Sequence, residues 1–407
     1  MDKDDINIKN IESNDSPDGD KMDHEEDAHG RNPAEVLSDM MHQHPKAKSQ
    51  ILRILPILAL AIVIGTSAYF IFKEPAKPEP VNPYRGGVVI GTCERAVEIV
   101  AEMTLEEKVG QMFLTPYRGD GSDLEALTKY HLGGFLYTGE FFGNTNPENA
   151  PYVFRDMREA SQIRPFQAVA EEGGAFVAVS KWPAFRNEPF KLPRVLYDEG
   201  GIEAVITQED EKLIMLKNLG LNMNFGPITN IVTSPAVSIY EQTLGQEAEI
   251  TKEYIRQLAL LYDECGVSSV LKYYTGSNTE AFMMGCYMGA PAVMMANSLV
   301  TGQDSVDQTM PLSLSRPWHD YLREELGFNG VIVISDIMSP VFDEYASGKA
   351  KSVTAVNAGN NMIWATDYEN EIAAVIEAVN NGTVKMEDID DSATRIITWK
   401  IRYGLVE

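Results

Sequence analysis

From about residue 93 onward, short apolar runs alternate with longer stretches whose apolar residues recur every three to four positions. Runs of four or five apolar residues fit strands buried on both faces, and the longer period fits helices that cover them. The predicted strands are Gln111 to Leu114, Gly134 to Tyr137, Phe166 to Ala170, Asn222 to Phe225, Ser269 to Lys272, Ala292 to Ala296, Val331 to Ser335 and Met362 to Ala365. Between them, Ile250, Tyr254, Leu258, Leu261 and Cys265 fall on one face of a predicted helix. The opening helix starts with a capping box, Thr104 and Glu107. Eight strand–helix units in about 320 residues predict an α/β fold, a (β/α)8 TIM-type barrel with any site where the strands run out into their following loops. A doubly wound open sheet has the same alternation and stands as the alternative.

The N-terminal part reads differently. Between Met1 and Pro45 there are 13 Asp or Glu against four Lys or Arg and no apolar period, so residues 1–48 are expected to form a disordered acidic tail. It either keeps the protein soluble or docks a basic partner. The 19 uncharged residues from Ile54 to Phe72 nearly match a hydrocarbon core, and predict one transmembrane helix, an uncleaved signal anchor, over 51–73. A buried globular helix is the competing reading. Residues 74–86, with Pro75, Pro78, Pro80 and Pro83, read as a stiff linker. The barrel then occupies 87–407. Arg31, Lys46, Lys48 and Arg53 before the span, against Lys73, Lys77 and Arg85 after it, weakly orient the tail inward and the barrel outward. The expected location is therefore the bacterial cell membrane, single-pass, with an extracellular barrel.

Charge and cysteine content narrow the chemistry. A net charge of −26 with no basic stripe excludes a nucleic-acid partner. Cys93, Cys265 and Cys286 are an odd set without metal-ligand spacing and read as core thiols, although an extracellular disulfide stays open. No metal cluster or phosphate-cradling loop is evident, so no cofactor is expected.

Several strings carry a resemblance. "MTLEEKVGQMFL" (103–114), "LGGFLYTG", "AVAEEGG" (168–174), "LGLNMNFGPITN" (219–230), "LREELGFNGVIVISD" (322–336) and the closing "IDDSATRIITWKIRYGLVE" resemble successive parts of the glycoside hydrolase family 3 N-terminal domain. They cover nearly all of Cys93 to Glu407 and are most similar to the single-domain β-N-acetylhexosaminidase branch acting on bacterial cell-wall sugars. The resemblance implies a retaining mechanism, with Asp336 at the position of the carboxylate nucleophile. A carboxylate there suits capture of an oxocarbenium-like centre; a strand-end Asp capping the next helix is the plainer reading.

Other expected residues are altered. The branch's Lys-His-Phe-Pro-Gly-His-Gly string reads "KYYTGSN" here: Lys272 and Gly276 match, but Tyr273, Tyr274, Thr275 and Ser277 stand elsewhere. The following Asp-x-His loop, which supplies the acid/base, is deleted. His24, His29, His42 and His44 fall in the tail, and His131 and His319 on helix-side segments. Departure without a proton donor forfeits roughly 10²- to 10⁴-fold in rate. At sugar-gripping positions the resemblance sets Ala170, Ala175, Gln242, Asn297 and Asn361 against charged or histidine residues. Glu172 matches a carboxylate read as a turn-stabilising acceptor, while Glu171 is a weak candidate for the missing acid. Tyr137, Phe141, Phe142, Tyr273 and Tyr274 either stack on a sugar or fill the vacated mouth.

Lys272, Glu172 and Tyr273 are the candidate substrate-binding residues. Three readings follow: a surviving glycosidase for β-linked GlcNAc glycans or peptidoglycan fragments with impaired turnover, an inactive barrel retained for glycan binding or as a surface scaffold, and a purely structural domain.

Overall fold

The computed structural model describes residues 93–301, 305–346 and 348–406. Two helices lead in, α1 (Glu94–Glu102) and α2 (Leu105–Gln111). The capping box forms as predicted: Glu107 N–H donates to Thr104 Oγ1 (3.2 Å) and Thr104 N–H to Glu107 Oε2 (2.8 Å). Then come β1 (Phe113–Pro116), α3 (Asp123–Tyr130), β2 (Gly134–Leu136), α4 (Gly139–Gly143), α5 (Ala150–Glu159) and β3 (Phe166–Val169). The middle holds α6 (Pro193–Leu219), β4 (Met223–Asn224), α7 (Ala248–Cys265), β5 (Ser268–Tyr274), α8 (Glu280–Tyr287) and β6 (Ala292–Met295). The last part runs through α9 (Arg316–Asp320), β7 (Val331–Ile334), α10 (Val341–Tyr345), α11 (Lys351–Ala358), β8 (Met362–Trp364), α12 (Tyr368–Asn380) and α13 (Met386–Arg402).

All eight predicted strands exist, and each pairs in parallel with its sequence neighbours. Closure decides between the two candidate architectures. β1 pairs with β8, Phe113 beside Ile363 and Leu114 beside Trp364, so the sheet is a closed barrel and not an open doubly wound sheet. Gln111 ends α2 instead of opening β1, because its amide donates to His131 O (2.7 Å) and its carbonyl oxygen accepts from Lys400 Nζ (2.7 Å). On α7 the buried face is Tyr254, Ile255, Leu258 and Tyr262, whereas the predicted Ile250 is exposed. The stripe is rotated because Asn224 on β4 reaches outward to bond Tyr262 (2.8 Å).

The N-terminal end of the barrel is closed by α13. Trp399 lies 4.2 Å from the Phe166 ring and donates to Ser268 Oγ (2.6 Å). Next to it Lys400 is fully buried, and burial holds its ammonium well below the usual lysine range.

The expected tail, span and linker over 1–86 lie outside the described residues. Among the described residues no helix is long and apolar enough to cross a membrane. The longest, α6, is broken by a kink at Gly200 and Gly201 and carries Arg194, Asp198, Glu199, Glu203, Glu209, Asp210, Glu211, Lys212 and Lys217, too many charges for a hydrocarbon core. The single-pass cell-membrane placement is corrected to this extent: nothing in the described residues, which do not include 51–73, supports it. The three cysteines are free, so the open possibility of a disulfide among them is not realised.

Candidate active site at the barrel mouth

Side chains alternate across a strand, so a few contacts orient the whole barrel. Gln167 and Asn224 donate to Phe154 O (2.6 Å) and Tyr262 Oη (2.8 Å), both on covering helices, and therefore point outward. Their neighbours Ala168 and Phe225 point into the barrel. Lys272 is level with Met294, Met294 with Val333, and Val333 with Met362, which carries the inward set around to β8.

At the C-terminal strand ends this inward set forms a polar mouth. Lys272 on β5, only 5% exposed, pairs through Nζ with Glu172 Oε1 at the end of β3. Glu172 Oε2 is buried and has no protein partner. Asn297, after β6, donates to Ser335 Oγ after β7 (2.6 Å), and its Oδ1 is likewise unpartnered. Trp364, the last residue of β8, lies 5.9 Å from the Phe225 ring, and its indole N–H is buried without an acceptor. Asp336 follows β7; its Oδ1 accepts from Met338 N–H (3.0 Å), the local turn expected of an Asp at a strand–helix junction.

The two glutamates exchange the roles expected of them. Glu171, not Glu172, stabilises the turn: it is 0% exposed, and its carboxylate accepts from the N–H groups of Ala178 (2.8 Å), Val179 (2.8 Å) and Ser180 (3.0 Å). A group sealed behind three backbone donors is poorly placed to deliver a proton to a ligand. Glu172 is the one that faces the mouth. Tyr273 is half-buried beside them, with Lys272 Nζ 5.7 Å from its ring and its backbone bonded twice to Asn230.

Other expected mouth residues lie elsewhere. Tyr137 packs outward on Phe154 of α5 (4.7 Å), and Tyr274 outward on Phe282 of α8 (5.2 Å), so neither fills the mouth. Phe141 and Phe142 join the Tyr137 side of that outer cluster. Asn361 stands before β8, at the opposite end of the barrel, where its Oδ1 accepts from Arg323 Nη2 (2.6 Å) and Ile332 N–H (2.9 Å). It serves the framework and is no lost sugar ligand. Ala175 is exposed, and Gln242 lines a small cavity together with Glu171 and Glu172. The connection from β5 to α8 is only residues 275–279, in keeping with the deletion read from the sequence. Among the described residues no cluster of three or more His, Cys, Asp or Glu is placed to hold a metal.

Neither described histidine reaches the mouth. His131 caps α3 in a left-handed conformation (φ 53°), and His319 on α9 is buried behind the N-terminal end of β8. Burial pushes the His319 imidazole down to about 4. The unfolded chain therefore takes up this proton near pH 6.5 while the folded chain does not until about pH 4. Stability is lost as pH falls through that window, by about 3 kcal/mol at about 1.4 kcal/mol per pH unit. Denaturation midpoints of the protein and its His319→Gln form, compared from pH 7 to pH 4, should converge as pH falls.

Sequence reasoning missed Trp364, Phe225 and Arg194. A Trp next to last in a predicted strand was the available sign for the first. Arg194, at the start of α6, stacks over the Tyr240 ring (3.4 Å) and donates to Tyr240 O (2.7 Å), pinning the loop after β4. Gly245 there adopts φ +76°, which favours glycine, and a Cβ would also push that guanidinium aside.

Comparison with known proteins agrees with this geometry. Residues 277–399 match the Glycosyl hydrolase family 3 N terminal domain. "Beta-hexosaminidase LpqI" of Mycobacterium tuberculosis is 22% identical, over 80% of this chain and 89% of its own length. The "Periplasmic beta-glucosidase/beta-xylosidase" of Dickeya chrysanthemi is 21% identical over 83% of this chain and 62% of its own. The solved family 3 β-N-acetylglucosaminidase of Paenibacillus sp. str. FPU-7 superposes with a TM-score of 0.66 at 21% identity, over 74% of this chain and 63% of that one. Eight parallel strands closed in sequence order and these matches make the barrel similar to the glycosyl hydrolase family 3 N-terminal domain, whose model matches residues 277–399.

Proposed function

We propose that the barrel mouth binds a β-linked N-acetylglucosamine glycan, or a peptidoglycan fragment built from it, with turnover impaired. The observation that carries this reading is the set of polar atoms left without protein partners around the Lys272–Glu172 pair: one donor, Trp364 Nε1–H, and two acceptors, Glu172 Oε2 and Asn297 Oδ1. A sugar hydroxyl both donates and accepts, so a polyhydroxylated ligand supplies both kinds of missing partner. The Trp364 indole adds an apolar surface. In this reading Lys272, Glu172 and Tyr273 hold the ligand, and Asp336 attacks the anomeric carbon. The general acid is what the site lacks: the β5–α8 connection is five residues long, and Glu171 is spent on backbone N–H groups. A barrel used only for glycan binding or as a scaffold is the second reading, favoured by the same two features.

An activated aryl β-N-acetylglucosaminide separates them, because its phenol leaves without protonation. We expect slow phenol release that Asp336→Ala abolishes, with an unactivated alkyl glycoside slower by a further factor of about 10² to 10⁴. Equal rates on both substrates would refute impaired acid catalysis. No release by the parent, with saturable sugar binding intact, would leave binding as the function.

A further inference from the structure

At the end of the barrel away from Asp336, a cavity of about 440 Å³ opens between α9, the π-helical turn Tyr321–Glu325, α11 and the start of α13. Its volume falls within the range of about 300–1,000 Å³ typical of small-molecule sites. Two of its lining side chains are almost wholly buried and incompletely bonded. His319, 2% exposed, has Nδ1 2.8 Å from Ser315 O. A carbonyl only accepts, so Nδ1 carries the ring proton, and Nε2 of the neutral imidazole is an acceptor. Asn360, 1% exposed, donates through Nδ2 to Ser313 O (2.8 Å) and Ala355 O (2.9 Å), which fixes its amide and makes Oδ1 the other acceptor. Neither Nε2 nor Oδ1 receives a protein donor, and the two side chains lie close enough to interact with each other.

The positive groups in the wall are already committed. Arg316 donates to Asp320 (2.7 Å), Arg395 to Asp391 (2.7 Å), and Arg323 to Phe328 O, Gly330 O and Asn361 Oδ1. Glu324 is exposed, and Asp388 is held only by a long contact of 3.9 Å to Arg316. The wall thus has spare negative charge and two buried acceptors that need a donor. An anion finds no free guanidinium there. From this arrangement we infer that the cavity is a binding site for a small organic molecule bearing a primary ammonium group, whose N–H donors meet His319 Nε2 and Asn360 Oδ1. It is independent of the mouth and of whatever sugar binds there.

The test uses the full chain labelled with ¹⁵N, titrated with ethylammonium chloride beside tetramethylammonium chloride at equal ionic strength. Both probes carry one positive charge, but only ethylammonium has N–H donors. The His319 Nε2 resonance should shift saturably with ethylammonium and stay unmoved by tetramethylammonium. Glu324→Gln, an exposed change that leaves the buried acceptors intact, should weaken the ethylammonium response by about two- to five-fold. An absent shift, or the same shift with both cations, overturns the proposal.

Discussion

Replacing Glu171 by alanine should cost the barrel about 3–5 kcal/mol, as large a loss as any expected from a single change near the mouth. Its carboxylate is fully buried and accepts from three consecutive N–H groups, those of Ala178, Val179 and Ser180. Each buried donor left without an acceptor costs about 1–3 kcal/mol, and water can reach only part of the space that alanine vacates. The segment after β3 would loosen, and with it Ser180 Oγ, which accepts from Phe190 N–H (3.1 Å). Glu171→Gln keeps the shape and one carbonyl oxygen. Placed where Oε2 sits, that oxygen still receives Ala178 and Val179, and only Ser180 faces an amide donor, so a loss of about 1–3 kcal/mol is expected. Urea denaturation of the two variants checks the ranking. Equal, small losses would mean that the carboxylate does not hold this loop.

Breaking the Lys272–Glu172 pair should be nearly as damaging and should also reach the ligand. Both side chains are largely buried, with exposures of 6% and 11%. Removing one partner from a buried ion pair strands the other charge, at a cost of about 3–5 kcal/mol, whereas replacing both together is much less costly. We therefore expect Glu172→Ala and Lys272→Met each to lower stability by that amount and the double variant to recover a large part of it, a coupling that a double-mutant cycle in urea measures directly. The double variant is the informative one for function. It folds without the charges that frame the mouth, so loss of glycan binding in it would report the site and not the scaffold. Additive single losses would show that the two charges act independently.

Much of this molecule was legible along the chain. The eight strands were placed within two residues of their observed ends, because a strand buried on both faces must be apolar throughout and the chain marks its limits with helix caps and turns. Asp336 and Lys272 were singled out by the resemblance, and the structure sets Lys272 on β5 and Asp336 just after β7. The roles of the two glutamates were not legible. Glu171 and Glu172 are adjacent and chemically identical, and only the path of residues 178–180 decides which one is sealed and which one faces the mouth.

Asn361 makes the same point at the other end of the barrel. One residue ahead of β8, it sits on the framework side, while Trp364, at the end of the same strand, sits in the mouth. The sequence by itself determined the alternation of strands and helices, the barrel class and the shortness of the β5–α8 connection, since these follow from local period and length. The tertiary structure alone decided closure, which carboxylate is spent on the backbone, which aromatics face the helices, and which buried polar atoms are left unpaired. Those outcomes depend on contacts between residues far apart in the chain, such as Lys272 with Glu172 and Asn360 with Ser313, and no local pattern encodes them.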